Sequence, residues 1–181
     1  MRDAGDDATP ATSGFATGAR AEKQRLRREF GATRRARTAP ELAAARAAIC
    51  ALVLAVASDW ACVAAYEPLP TEPGSKELLA GLIELGARVL VPVTLPDRNL
   101  DWVQWGSPVR EPLGVDAVHA AATVLVPALA VAADGTRLGR GGGSYDRALA
   151  GCAVGTTLVA LLFNGELINT LPVEPWDRPV T

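Results

Sequence analysis

The sequence predicts an α/β fold of three layers, α/β/α, around a mostly parallel sheet. Residues 60–66 and 88–93 are apolar runs typical of buried strands, and residues 76–85 between them have helical spacing. Strand, helix and strand in this order form a βαβ unit with parallel strands. A third apolar run, residues 123–127, precedes a glycine-rich loop and a further helix. Because ligands bind at the carboxyl ends of parallel strands, the loops that follow them are the candidate site.

The composition is typical of one globular domain without a general affinity for nucleic acid or membranes. Of 181 residues, 49% are hydrophobic and 21% are charged, and the net charge is −2. We expect a disordered tail over residues 1–18, which are small, polar and acidic, and a single domain over residues 19–181. Cys50, Cys62 and Cys152 are predicted to be free thiols in a reducing compartment. With neither a signal peptide nor a long apolar span recognised, we expect a cytoplasmic monomer.

The first half of the domain begins with two predicted helices. Residues 19–37 are strongly basic, and Leu26 and Phe30 lie one turn apart on one face. On composition alone, the arginines form a solvated face or at most a weak nucleic-acid patch. A capping box at residues 38–41 then opens a helix rich in alanine and leucine that extends to about Ala57.

The segment most informative about function is residues 134–147, DGTRLGRGGGSYDR. Its three consecutive glycines allow the backbone to approach a ligand closely. Amides at the start of a helix near Arg147, flanked by Arg137, Arg140 and Arg147, would form an anion site. Asp146 adds a carboxylate, so that a hard cation such as Mg²⁺ could lie beside the anion. A nucleoside polyphosphate is the simplest ligand that suits these groups, and the alternative is a connector that only turns the chain.

Known phosphate-binding patterns do not describe this loop. A Walker motif requires Gly-Lys-Ser/Thr, and the two lysines of the chain, Lys23 and Lys76, lie elsewhere. The dinucleotide pattern fails because its sixth position, counted from Gly139, is Ser144. His119 is the sole histidine and has no nucleophile motif nearby, so a Ser-His-Asp triad is not predicted.

Two other stretches contain candidate ligand-binding residues. The loop over residues 67–75 follows a predicted strand and contains Glu67 and Glu72. Trp102 and Trp105 are predicted to lie on the same side of a strand, where they are either aromatic walls for a flat ligand or core residues.

The loop and its surroundings resemble a known family. The combination of residues 127–130 (PALA), 134–143 (DGTRLGRGGG) and 145–147 (YDR) is similar to the signature of the 5-formyltetrahydrofolate cyclo-ligases, also called 5,10-methenyltetrahydrofolate synthetases. The resemblance extends over about residues 23–181 and includes a Lys-x-x-Leu-Arg motif that begins at Lys23. Family members usually have an aromatic residue in place of Ser144 and a histidine in place of Trp176. The implied fold is the NagB/RpiA/CoA-transferase-like fold.

The resemblance implies a reaction that uses ATP and Mg²⁺ to convert 5-formyltetrahydrofolate to 5,10-methenyltetrahydrofolate. The residues implied to bind the nucleotide are Lys23, Arg27, Arg137, Leu138, Gly139, Arg140, Gly141, Gly142, Gly143, Ser144 and Tyr145. The implied catalytic residues are Arg140, Tyr145 and Asp146, and Asp146 is also the implied Mg²⁺ ligand. The implied folate-binding residues are Glu72, with Glu67 as the alternative, Trp102 and Tyr145.

Two other functions remain open at this point. The first is a non-catalytic relative that binds ATP but has lost folate turnover, a hypothesis motivated by Ser144, Trp176 and the short connection over residues 106–114. ATP binding without binding of 5-formyltetrahydrofolate would distinguish it. The second is a nucleic-acid adaptor that uses residues 20–37, whose affinity would fall steeply with salt.

Overall fold

The computed structural model of the chain describes residues 12–174 and 177–181, with side chains from residue 18 onward. Its helices are α1 (Thr12–Ala36), α2 (Ala39–Val56), α3 (Lys76–Glu84), α4 (Ser144–Leu149) and one 3₁₀ helix (Val115–Ala120). Its strands are β1 (Cys62–Ala64), β2 (Arg88–Thr94), β3 (Leu100–Gln104), β4 (Thr123–Val126), β5 (Ala130–Ala132), β6 (Arg137–Leu138), β7 (Thr157–Ala160) and β8 (Leu167–Ile168). Helix α1 begins at Thr12 and not at Ala19 as predicted, and a tail over residues 1–11 stays a prediction outside the described part of the chain.

The main sheet has five strands in the order β3-β2-β1-β4-β7. Strand β1 pairs in parallel with β2 and β4, and β4 pairs in parallel with β7. Only β3, at the edge next to β2, is antiparallel. The predicted βαβ unit, formed by β1, α3 and β2, and the mostly parallel sheet are therefore confirmed.

Alternating side chains of the main sheet pack into two separate cores. Val63 and Val89 contribute to the core shared with Leu82 of α3 and with α2. The next residue of each strand, Ala64 or Leu90, contributes to the core on the other face, which includes residues of the 3₁₀ helix and of α4. Helices thus cover both faces of the sheet, which gives the three layers that the sequence predicts.

A second, three-stranded sheet has the order β6-β5-β8, with β5 and β6 between β4 and the glycine loop in the chain and β8 after β7. It was not predicted, because strands of two or three residues are too short to show a periodicity. Leu129 and Leu138 form a small core beside this sheet, and Leu26 and Phe30 of α1 pack against that core. The predicted apolar face of the first helix therefore attaches α1 to the small sheet.

Capping groups begin two of the helices where the sequence predicts them. The Thr38 hydroxyl accepts a hydrogen bond from the Glu41 amide, and the Glu41 carboxylate accepts one from the Thr38 amide at 2.7 Å. At α3, the Ser75 hydroxyl accepts a hydrogen bond from the Leu78 amide at 3.1 Å. Ser75 therefore ends the loop after β1 and begins the helix.

Helix α2 is more apolar than the sequence analysis expected. By length and composition it is the one helix among the described residues that could cross a membrane, with a mean hydropathy of 1.8 over 18 residues. It nevertheless packs against the main sheet through Val53, with Ile49, Cys50 and Leu54 partly buried in the same core. Since only 6% of this window is buried, the expected lack of a membrane partner stays a prediction.

Candidate active site

A cavity of about 570 Å³ opens at the carboxyl ends of β1, β2 and β4. Tyr66 follows β1, Thr94 ends β2 and Pro127 follows β4, and all three line it. Helix α1, the glycine loop and residues near the carboxyl terminus complete the wall. The position agrees with the expectation for a parallel sheet.

Most of the predicted site residues meet in this cavity, although up to 123 positions separate them along the chain. Those that line it are Lys23, Arg27, Glu72, Arg137, Gly139, Arg140, Gly141, Gly142, Gly143, Ser144, Tyr145 and Asp146. Leu138 and Trp102 do not line it.

The glycine loop lies against Arg27 of α1. The Arg27 Nε donates a hydrogen bond to the Gly139 carbonyl at 2.9 Å. Gly141 has a φ of +97°, and a Cβ at this position would lie 3.1 Å from Cζ of Arg27. Gly143, with a φ of +67°, precedes α4, which starts at Ser144 and not near Arg147 as predicted. Because α4 has only six residues, the cationic side chains, and not a helix dipole, dominate any attraction for an anion.

We expect Gly141→Ala to weaken binding of ATP, the ligand that the resemblance implies, by about 10-fold. A side chain is strained by about 1–2 kcal/mol in this backbone region, and here it also meets Arg27. Gly155→Ala is the matched control, because Gly155 has a φ of +96° but no atom within 4 Å of the added Cβ. Calorimetric titration with ATP would measure the difference, and equal affinity of the two variants would show that the Gly141 contact is unimportant.

Lys23 is almost completely buried, with 3% of the side chain exposed, between two carboxylates. Its Nζ lies 2.8 Å from Glu174 and 2.6 Å from Asp177. The sequence analysis assigned no role to these two carboxylates. Pro175 and Trp176 between them lie outside the described residues, so the structure says nothing about the substitution at Trp176.

Asp146 forms an ion pair with Arg137 at the cavity wall. The amide of Arg178 donates a hydrogen bond to the same carboxylate at 3.4 Å. The segment that contains Asp177 therefore passes next to Asp146. The Arg137 Nε is buried and has no hydrogen-bond partner among the described residues, and a free donor of this kind fits a phosphate oxygen.

Glu72 and Glu67 have different surroundings. Glu72 is 5% exposed, and its Oε1 lies 3.3 Å from Nε of Arg140 in the glycine loop. Glu67, the alternative, forms a two-pronged ion pair with Arg110 at 2.8 and 3.0 Å, and this pair lowers the pKa of the Glu67 carboxyl. Of the two, Glu72 is the carboxylate that connects the loop after β1 to the glycine loop.

The prediction that the two tryptophans lie on the same side of the strand is wrong, whereas the alternative that they are core residues agrees with the structure. Trp102 is fully buried in the core on one face of the sheet, and Trp105 packs against the core on the other face. Three positions separate them, and side chains of a strand alternate between its faces, so they cannot share one. Trp102 therefore does not line the cavity but supports Tyr145 from behind, in an edge-to-face contact with ring centroids 6.5 Å apart. Burial raises the pKa of the Tyr145 phenol, whose hydroxyl has no partner among the described residues.

Two further predictions at the glycine loop need correction. Leu138 is 1% exposed and packs into the core of the small sheet, so its side chain does not face a ligand. Arg147 does not flank the cavity, because its Nε donates to the Asn99 side chain at 3.0 Å and its Nη2 to the Arg98 carbonyl at 2.7 Å.

Comparison with known proteins gives one consistent answer. The family model described as 5-formyltetrahydrofolate cyclo-ligase family matches residues 19–181. The chain belongs to this cyclo-ligase family. A protein named 5-formyltetrahydrofolate cyclo-ligase from Mycolicibacterium smegmatis is 42% identical, over 66% of this chain and 70% of that protein.

Two solved structures share the fold of this cyclo-ligase family member. The first is a 5,10-methenyltetrahydrofolate synthetase from Mycoplasma pneumoniae, with a TM-score of 0.75 and 20% identity over 88% of this chain and 95% of the other. The second, from Aquifex aeolicus, has a TM-score of 0.71 and 21% identity over 87% of this chain and 86% of the other.

Two residues of the cavity wall in this cyclo-ligase family member, Arg34 and Tyr66, were not predicted from the sequence as site residues. The side chain of Arg34 is 2% exposed and forms an ion pair with the equally buried Glu166. Its spacing from Lys23 and Arg27, eleven and seven residues, corresponds to about three and two helical turns, so all three lie on one face of α1. This periodicity was present in the sequence and could have distinguished Arg34 from the solvated arginines around it.

Proposed function

We propose that this chain converts 5-formyltetrahydrofolate to 5,10-methenyltetrahydrofolate with ATP and Mg²⁺, and releases ADP and phosphate. The observation that carries the proposal is the single cavity in which the cationic glycine loop meets the loop of Glu72. Family membership over residues 19–181 supports the reaction. We further propose a NagB/RpiA/CoA-transferase-like fold and a cytoplasmic monomer with no nucleic-acid or membrane partner.

The nucleotide side of the cavity is rich in donors for phosphate oxygens. Lys23, Arg27, Arg137 and Arg140 surround the glycine loop, and in our proposal they bind the phosphates with its amides. Each of these cations already has a protein partner, so phosphate oxygens would replace carboxylates at Lys23, Arg137 and Arg140.

The residues present also fit a magnesium ion that is bound mainly through the nucleotide. Mg²⁺ typically takes one or two protein carboxylates and completes its coordination with phosphates and water. Asp146 on the cavity wall suits this role, whereas the described residues contain no cluster of three or more histidine, cysteine or acidic side chains. The ion would neutralise the charge of the phosphates.

The folate side of the cavity contains Glu72 and Tyr145. In the proposed reaction the formyl oxygen takes the γ-phosphoryl group and ADP leaves. N10 of the folate then attacks the activated carbon, the bond from that carbon to the phosphorylated oxygen breaks, and phosphate departs and takes up the proton that N10 loses. Arg140, at 3.3 Å from Glu72, lies where the two substrates would meet and stabilises the charge of the transferred group. In this proposal positioning and charge neutralisation contribute most of the catalysis. His119, the sole histidine, packs against Gly151 and does not line the cavity.

The decisive test is the absorbance of the methenyl product when the protein meets 5-formyltetrahydrofolate, Mg²⁺ and ATP. We expect growth of the methenyl band that requires ATP, with no growth when ATP is omitted. Absence of the band together with intact ATP binding would instead support the non-catalytic nucleotide binder. The nucleic-acid adaptor is disfavoured, because Lys23, Arg27 and Arg34 of α1 line the cavity.

A further inference from the structure

Arg46 is a charged residue on an otherwise apolar stretch of α2, and its guanidinium lies against the loop after β1. Its Nε donates to the Glu72 carbonyl at 3.0 Å. Its Nη2 donates to the carbonyls of Leu69, Pro70 and Glu72 at 3.2, 2.7 and 2.9 Å. One side chain thus binds three carbonyls of a single turn.

Although Glu72, Pro73 and Gly74 are buried, the loop makes few other hydrogen bonds to the rest of the described residues. Pro68, Pro70 and Pro73 lack amide hydrogens, so the loop cannot extend the ladder of a neighbouring strand. The turn is closed locally, because the Glu72 amide donates to the Leu69 carbonyl at 2.9 Å and the Leu69 amide donates to the Glu72 carboxylate at 2.8 Å. These bonds fix the shape of the turn, whereas the guanidinium of Arg46 attaches it to α2.

Attachment of this turn determines where the Glu72 carboxylate lies. One carboxylate oxygen is used within the turn, and the other faces Arg140 across the cavity. A shift of the turn by about 1 Å would therefore move Glu72 relative to the glycine loop, and displacements of this size can reduce the rate of an enzyme by about 100-fold.

We propose that Arg46 is a positioning residue, which holds Glu72 in the geometry that recognises the folate substrate without touching that substrate itself. The inference rests on the proposed function for the identity of the ligand. The role of Arg46 is confined to the folate side, because the cations that face the nucleotide lie on α1, β6 and the glycine loop.

The test compares Arg46→Met and Arg46→Lys with the control Arg88→Met. Arg88 is an exposed arginine at the first residue of β2, at the opposite end of the strand from the cavity. Binding of 5-formyltetrahydrofolate and of ATP would be measured separately by calorimetry, and hydrogen exchange would follow the amides of Leu69 and Glu72.

For Arg46→Met we expect the affinity for folate to fall by about 10-fold or more relative to wild type, ATP binding to stay within about twofold of wild type, and both amides to exchange faster. Arg46→Lys should lie between Arg46→Met and wild type, because an ammonium group donates from one point and cannot reproduce the fork.

Each other outcome is decisive. Unchanged folate affinity in a folded Arg46→Met protein, or equal weakening of folate and ATP binding, would overturn the inference. If Arg46→Met fails to fold, Arg46→Lys decides by the same comparison. If wild-type protein does not bind 5-formyltetrahydrofolate, the proposed function fails, and unchanged amide exchange in the variants would then also reject Arg46 as the residue that holds Glu72.

Discussion

Replacing Asp146 with asparagine is expected to lower turnover by about 100-fold or more. Asparagine keeps the shape and one acceptor oxygen, so a hydrogen bond from Arg137 can persist and the fold should be retained. The negative charge that a magnesium ion requires is lost. The rate of methenyl formation, measured over a range of Mg²⁺ concentrations, would show both a lower maximum and a higher requirement for the ion.

The control for this prediction is Asp116→Asn, because Asp116 is an exposed carboxylate whose side chain is 85% accessible. We expect the control to retain full activity. Binding of ATP in the absence of metal should be unchanged or tighter in Asp146→Asn, since the carboxylate no longer competes with phosphate for Arg137. Near-wild-type turnover of Asp146→Asn would remove this residue from the metal site.

Replacing Arg34 with alanine is expected to lower the free energy of unfolding by about 3–5 kcal/mol, because it leaves Glu166 as an uncompensated buried charge. Arg34 and Glu166 are each 2% exposed and are joined by two hydrogen bonds of 2.7 Å. Arg34 also donates to the Ala128 carbonyl at 2.7 Å, which would lose this partner. Urea denaturation would measure the change in free energy. Thermal unfolding should show a fall of about 6–20 °C in Tm for a chain of this size.

Arg35→Ala is the matched control, because it removes an exposed arginine from the next position of α1 and should change stability by less than about 0.5 kcal/mol. The double variant Arg34→Met, Glu166→Met should recover much of the loss, since replacement of both partners leaves no unpaired charge. A loss below about 1 kcal/mol for Arg34→Ala would mean that water reaches Glu166 in the variant.

The sequence predicted those features that depend on local pattern. The βαβ unit follows from hydrophobic runs of five to seven residues on either side of a helix capped by Ser75. The glycine loop was located correctly, because three glycines among arginines are informative without knowledge of the rest of the fold. The parallel sheet then places this loop and the loop of Glu72 at the same edge, so their meeting could also be expected.

The features that sequence reasoning missed depend on contacts between distant residues. The periodicity of α1 singles out Arg34, but its partner Glu166 and the Lys23 partner Glu174 leave no local signal, since each resembles a solvated charge in its own segment. Trp102 illustrates the other limit. The spacing of Trp102 and Trp105 excludes a shared strand face. A tryptophan near a site can still face the ligand or support a residue that does, and only the packing of Trp102 against Tyr145 distinguishes the two.

The contacts of Lys23 also have a consequence for biosynthesis. Lys23 bonds to residues 151 and 154 positions further along the chain. A nascent chain can form the βαβ unit while translation continues, but the cavity gains this part of its wall only after Asp177 has left the ribosome. The ATP binding that we propose should therefore appear late in synthesis, after most of the main sheet has formed, and contacts of such long range are formed slowly. Until then, Lys23 remains a solvated charge on an incompletely anchored helix.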